Sequence, residues 1–149
     1  MDVTATSAAG HADRPPAHSV VKSLFDAGVS VSQITLSSDG NGNSVRRDDA
    51  GNIVDVSVAP ISNLLETVQA LVNEEKVPLS TALETVTSSP AHVLHLRRKG
   101  RIAPGADADL VVLDPDLSVN RVYAKGQLMV KEGSPVVWGP FETRPGDKR

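Results

Sequence analysis

The chain contains no cysteine. Disulfides, thiolate metal sites and cysteine nucleophiles are therefore excluded. The same absence accords with a reducing compartment, and a cytoplasmic location is expected. Aromatic residues make up only 3% of the 149 residues, so aliphatic side chains must fill the core. No apolar run approaches the ~20 residues that a membrane-spanning helix needs. The opening "MDVTATSAAGHADRPP" has neither the charged start nor the apolar segment of a secretory signal, and none is expected. Charge of neither sign dominates. The net charge is −3 and the basic residues are scattered, so neither a nucleic-acid partner nor a membrane partner is expected.

What is present suits a globular chain of one-domain length. Hydrophobic residues make up 40% and charged residues 22%. The first residues are small and polar, and fraying is expected there. Pro15 and Pro16 suit a helix start, and "AHSVVKSLFDAG" places Val20, Val21, Leu24 and Phe25 on one face with Gly28 as the stop. "VSVSQITLSS" reads as a strand, ended by the loop from Asp39 to Asn43. "RRDDAGN" reads as a charged turn and "IVDVSV" as a strand or extended lid. In "PISNLLETVQALVNEE", Ile61, Leu64, Leu65, Val68, Leu71 and Val72 form a broad helical stripe. "PLSTALETV" predicts another helix with a Thr81/Glu84 capping box, and "SSPAHVLHL" a short one capped by Ser89. From Gly100 the texture changes to short strands: "LVVL", a hairpin turning at Lys125-Gly126, and "PVVWG". The order is α/β first and all-β second.

Few groups suit chemistry. Asp39 lies at the end of a strand inside "ITLSSDGNGNS". A calcium loop beginning there would need Gly at its sixth position and Glu at its twelfth, where Ser44 and Ala50 stand. Neither G-x-G-x-x-G nor G-K-[ST] is present. Two readings stay open. Asp39 either forms an Asx-turn through backbone amides, or is an acid at the C-terminal end of a barrel strand, where α/β barrels hold their working groups. His11, His18, His92 and His95 form neither H-x-H nor H-E-x-x-H; His92 and His95 stand three apart on a short helix, and a surface or packing role is the simpler reading. Ser37, Ser38 and Ser44 lack a G-x-S-x-G setting, which argues against a serine hydrolase. Asp107, Asp109 and Asp114 flank a strand and a turn, where acids cap turns and keep a sheet edge soluble.

"GRIAPGADADLVVLDPD" resembles the C-terminal segment of the metal-dependent amidohydrolase superfamily. "ITLSSDGNGN", "LLETVQALV", "VTSSPAHVLHL" and "VYAKGQLMVKEG" resemble more specifically the isoaspartyl dipeptidases, and the likeness runs over roughly residues 2–142. The resemblance implies a (β/α)₈ barrel with a binuclear zinc site, plus a small β-sandwich built from both chain ends. It implies hydrolysis of β-aspartyl dipeptides by homo-oligomers. By match, Asp39 is the last strand's acid. In the family that acid lies beside the more buried metal, takes a proton from the bridging hydroxide and delivers it to the leaving amine. Gly40 and Gly42 would let substrate approach the backbone. A family serine that helps hold the dipeptide's α-carboxylate is replaced here by Asn43, with Ser44 next to it.

The H-x-H strand, the bridging lysine and the two later histidines of the family have no counterpart here, and a whole barrel takes about 250 residues. "DVTA" resembles the seventh barrel strand. The expected fold is therefore α/β: residues 1–99 form the last two β/α units of a metal-dependent hydrolase barrel, and residues 100–142 form short strands of the sandwich. Residues 143–149 are expected to be a disordered tail. The chain alone is expected to be inactive and not to hold zinc. Two alternatives stand beside that reading: a non-enzymatic remnant or half-barrel that pairs with a separate N-terminal partner, and an amidohydrolase acting on another amide.

Overall fold

The computed structural model describes residues 1–5, 15–48, 50–140, 142 and 144, with backbone alone for Ser44, Arg46 and Arg47. His11 and most of the expected tail lie outside the described residues. Two units are present, Met1–Gly100 and Arg101–Arg149.

The first unit is built on two very short parallel strands, β1 (Asp2–Thr4) and β2 (Thr35–Ser37), in the register Val3 opposite Leu36. Parallel neighbours need a crossover, and α1 (Ala17–Asp26) lies within it. Alternation splits the pair into two faces. Val3 and Leu36 join the helices in the core. On the pair's other face, Asp2 accepts hydrogen bonds from the hydroxyls of Thr35 and Ser37, each at 2.6 Å. On the far edge of β2 the Leu36 amide donates to the carbonyl of Thr85 at 3.0 Å. No strand among the described residues pairs with the far edge of β1.

After β2 the chain makes a hairpin, β3 (Asn43–Arg47) and β4 (Ile53–Val58), then three helices: α2 (Asn63–Asn73), α3 (Leu79–Glu84) and α4 (Ser88–Val93). Val21, Ile34, Leu36, Val68, Leu71, Val77 and Ala82 form the buried centre, with Phe25, Leu24 and Leu64 packed against it. Every member of the buried set is aliphatic, as the scarcity of aromatics requires.

Several local expectations are corrected. The strand expected over residues 29–38 is confined to Thr35–Ser37, since Val31–Gln33 coil into a tight 3₁₀ turn. That turn is fastened by Ser89, whose hydroxyl donates to the Val31 carbonyl at 2.8 Å. Ser89 is therefore not a helix cap; Thr87 stands at that position. Thr81 lies inside α3, which follows Pro78, so the capping box does not form. Asp2–Thr4 are a strand, as the resemblance of "DVTA" to a barrel strand implies, rather than the frayed end that small polar residues suggest. Asn43–Arg47, read as loop and turn, are β3. The buried face of α2 is rotated toward Asn63 and Thr67, which leaves Ile61 62% exposed. Gly28 does end α1, with φ +83°, a backbone conformation that costs glycine little.

The second unit is a four-stranded antiparallel sheet in sequential order: β5 (Leu110–Leu113), β6 (Val119–Ala124), β7 (Gln127–Lys131) and β8 (Ser134–Pro135). The β6–β7 turn is Lys125-Gly126, both with positive φ (48° and 81°), the geometry favoured by two-residue hairpins. Asp109 accepts from the Lys125 amide at 2.7 Å, and Asp114 accepts from Asn120 Nδ2 at 2.9 Å. These acids serve turns, as expected. The last strand is Ser134–Pro135, which overlaps the expected "PVVWG" strand only at Pro135.

Leu71 is fully buried at the centre of the first unit. Leu71→Ala is expected to destabilise that unit by about 2–5 kcal/mol, through lost burial and a residual cavity. Urea denaturation followed by far-UV circular dichroism checks this; a change below about 1 kcal/mol would place the core elsewhere.

Candidate active site

Asp39 follows the C-terminal end of β2, two residues after its last strand residue. Its backbone is left-handed, with φ 48°, and Asn41 is likewise at 65°. Non-glycine residues adopt this region sparingly, and aspartate and asparagine are the usual exceptions. The Gly42 amide donates to the Asp39 carbonyl at 2.9 Å and closes a four-residue turn. The Asn41 amide donates to the Ala59 carbonyl at 3.0 Å, and the Ala59 amide returns a bond to Gly42 at 2.9 Å. The loop is thus tied to the exit of β4.

The Asp39 side chain differs from its backbone. Asp39 is exposed, and no donor to its carboxylate occurs among the described residues. The Asx-turn reading is not what holds this loop; a backbone turn does. The short hydrogen bond of the Asx type belongs instead to Ser38, whose Oγ accepts from the Gly40 amide at 3.0 Å. The result is an exposed carboxylate on a fixed backbone, the arrangement a proton-transfer group needs.

The two glycines shape this loop sterically. A Cβ at Gly42 would meet both the Asp39 carbonyl and Asp39 Oδ1 at 2.8 Å, so the carboxylate leans over the space glycine leaves free. A Cβ at Gly40 would meet Ile61 Cγ1 at 2.8 Å and Ser38 Oγ at 2.9 Å. Ile61, expected in the core stripe, instead packs over the loop.

Asn43 opens β3 opposite Val58 and is exposed; Ser44 pairs through its backbone with Ser57. Both therefore stand one to two residues beyond the Asp39 turn, on a hairpin whose β4 strand is exposed along its whole length. At the hairpin's far end Asp48 organises the turn. Asp48 Oδ1 accepts from the amides of Ala50 at 3.0 Å and Asn52 at 2.8 Å, and Oδ2 accepts from Asn52 Nδ2 at 3.0 Å.

The described histidines, His18, His92 and His95, form no metal-holding group with Asp39. His18 lies on α1 beside Glu74 and Glu75 at the end of α2, at 3.5 and 3.9 Å. His92 is on α4, whereas His95 lies beyond its end with φ 55°, and both are exposed, so they are not one helical pair. Among the described residues no group of three or more His, Cys, Asp or Glu is arranged to hold a metal ion. Asp39 alone does not fit a binuclear centre.

Asn63 was missed in the sequence. It is 2% exposed at the start of α2 and donates from Nδ2 to the carbonyls of Ala5 and of Ser38, the latter at 2.9 Å. Among the described residues its Oδ1 is buried without a partner, a condition that costs roughly 1–3 kcal/mol. The signal was a polar residue beside an apolar stripe, invisible without knowing which way the helix turns.

The Asn52 side chain, then the Asn52 backbone, hold the Asp48 carboxyl below its usual 3.8, with Ala50 and Gly51 adding and burial opposing. A lowered folded value means that this contribution is present above 3.8 and lost as pH falls through the folded value. In an NMR titration of the side-chain carboxyl, Asp48 is expected to titrate below 3.8. Asn52→Ala, which removes the leading donor, should raise the midpoint. An unmoved midpoint would assign the effect to the backbone amides.

Known proteins give this geometry its setting. The model of the amidohydrolase family matches residues 14–129. The structure of a β-aspartyl dipeptidase from Fervidobacterium islandicum AW-1, in complex with β-Asp-Leu dipeptide, is similar with TM-score 0.74 and 31% identity over 85% of this chain. An N-acetylglucosamine-6-phosphate deacetylase from Bos taurus is 36% identical over 95 residues, or 63% of this chain. An adenine deaminase from Methanothrix thermoacetophila is 40% identical over 52 residues, or 35% of this chain. The chain spans 33% of the dipeptidase, 20% of the deacetylase and 9% of the deaminase. The α/β unit is accordingly part of a metal-dependent hydrolase fold of the kind those enzymes share. The chain belongs to the amidohydrolase family and is isoaspartyl dipeptidase-like within it.

Proposed function

We propose that this chain is the C-terminal part of a zinc-dependent isoaspartyl dipeptidase, with Asp39 as its proton-transfer acid. In this reading β1 and β2 are the last two strands of the barrel, and the sheet of the second unit belongs to the small sandwich. The observation that carries it is the likeness to the β-aspartyl dipeptidase, which covers 85% of this chain.

Asp39's role follows from elementary chemistry. Amide hydrolysis needs a base to deprotonate the attacking water and an acid to protonate the leaving amine. One exposed carboxylate on a rigid loop can serve in both steps, first taking the proton and then giving it up. Gly40 and Gly42 keep the loop free of side-chain bulk, so a substrate can approach the backbone. Asn43 and Ser44, at the start of β3, are the candidates for the dipeptide's α-carboxylate. Zinc is the metal that the family likeness implies. The described residues do not make its site, so its ligands must come from elsewhere in a complete barrel.

The unpaired far edge of β1 supports the same picture, because a third parallel strand has a place to add there. It equally supports a half-barrel that combines with a separate partner. A second substrate reading is favoured by the relatives named for deacetylation and deamination.

The test joins this chain to the N-terminal two-thirds of the Fervidobacterium islandicum enzyme and assays β-Asp-Leu, N-acetylglucosamine-6-phosphate and adenine with zinc supplied. The joined protein is expected to hydrolyse β-Asp-Leu, and Asp39→Asn to lower kcat by about 10²–10⁴-fold. The chain alone is expected to be inactive. A folded joined protein that acts only on the sugar phosphate or adenine would overturn the dipeptidase reading, and full activity in Asp39→Asn would overturn the role of Asp39.

A further inference from the structure

We propose that Asn63 is a positioning residue for the Asp39 loop: one buried amide group spans the C-terminal ends of both parallel strands and sets where the loop begins. Nδ2 carries two hydrogens. It donates one bond to the carbonyl of Ala5, immediately after β1, and one to Ser38, the residue before Asp39, at 2.9 Å. These contacts reach 58 and 25 residues along the chain, so one side chain joins three separate segments.

Other contacts show that this joint is built. The Ala5 amide donates to the Ser37 carbonyl at 2.7 Å, which brings the two strand ends together below the clamp. Ala5 is fully buried. Thr67 Oγ1 donates to the Asn63 carbonyl at 2.8 Å and fixes the first turn of α2. Among the described residues Oδ1 has no donor. An amide turned the other way would put its oxygen against two carbonyl oxygens, so the two acceptors dictate the orientation and leave Oδ1 without a donor. A hydrophobic residue would avoid the orphan and strand both carbonyls. The side chain thus serves both strand ends, and its Oδ1 has no donor among the described residues.

The consequence falls on Asp39. Its loop is held on one side by the Ala59 bonds and on the other by the Asn63–Ser38 bond. Removing the Asn63 bond frees the Ser38 end of the loop while the core of α1, α2 and β2 stays packed. The effect on catalysis rests on Asp39 being the working acid; the mechanical coupling does not, and it is read without any activity.

The experiment is residue-resolved hydrogen exchange on the full chain, comparing wild type, Asn63→Ala and, as a core-packing control, Leu71→Ala. In Asn63→Ala the amides of Gly40, Asn41 and Gly42 are expected to exchange at least about tenfold faster relative to those of Val20, Val21 and Lys22 in α1. In Leu71→Ala the loop and α1 should lose protection together. Should Asn63→Ala not fold, Asn63→Ser is read by the same ratio. The proposal is overturned if the Asn63 variant follows the Leu71→Ala pattern, or if the loop amides keep their protection. A dipeptidase assay that fails while the loop responds as stated would count against the substrate reading alone.

Discussion

The first unit depends on a pair of strands that cannot stand by themselves. β1 and β2 have three residues each, and a two-stranded pair is marginal in water. They persist because one face is buried under α1, α2 and α3, where Val21, Leu36, Val68 and Leu71 meet. Hydrophobic burial is the term that holds such a layer together, at roughly 25 cal/mol per Å² of apolar surface. Polar contacts then decide the details: Thr85 accepts from the Leu36 amide at one edge of β2, Asp2 ties the exposed face, and Asn63 closes the ends.

That division of labour explains the candidate site. A proton-transfer carboxylate must be open to water and substrate, yet its position must not wander. Exposing a side chain usually means placing it on a mobile loop. Here the loop backbone is fastened at Ala59 and Ser38, while no donor to the Asp39 carboxylate occurs among the described residues. The glycines at 40 and 42 serve the same end, since side chains there would collide with Ile61 and with Asp39 itself.

Sequence relatives include a deacetylase and a deaminase, and the structural neighbours include both β-aspartyl dipeptidases and N-acetylglucosamine-6-phosphate deacetylases. A shared scaffold hosts many chemistries, and the differences lie in the residues lining the site. The family is therefore legible from the scaffold segments.

What the sequence determined by itself is the local and the periodic. The α1 stripe with its Gly28 stop, the 3.6-residue pattern of α2 and the Lys125-Gly126 turn need only neighbouring residues, so their physics is written in short stretches. The Asp39 loop was also legible as a candidate, because its residue types are distinctive. Tertiary structure decided the rest. Which face of α2 is buried depends on where β2 lies, and that moved Ile61 out and Asn63 in. Ser89 became a long-range donor to Val31 rather than a cap because β2 brings that turn alongside α4. The clamp on Ala5 and Ser38 joins segments far apart in the chain, and no pattern within any one of them encodes the distance between the others.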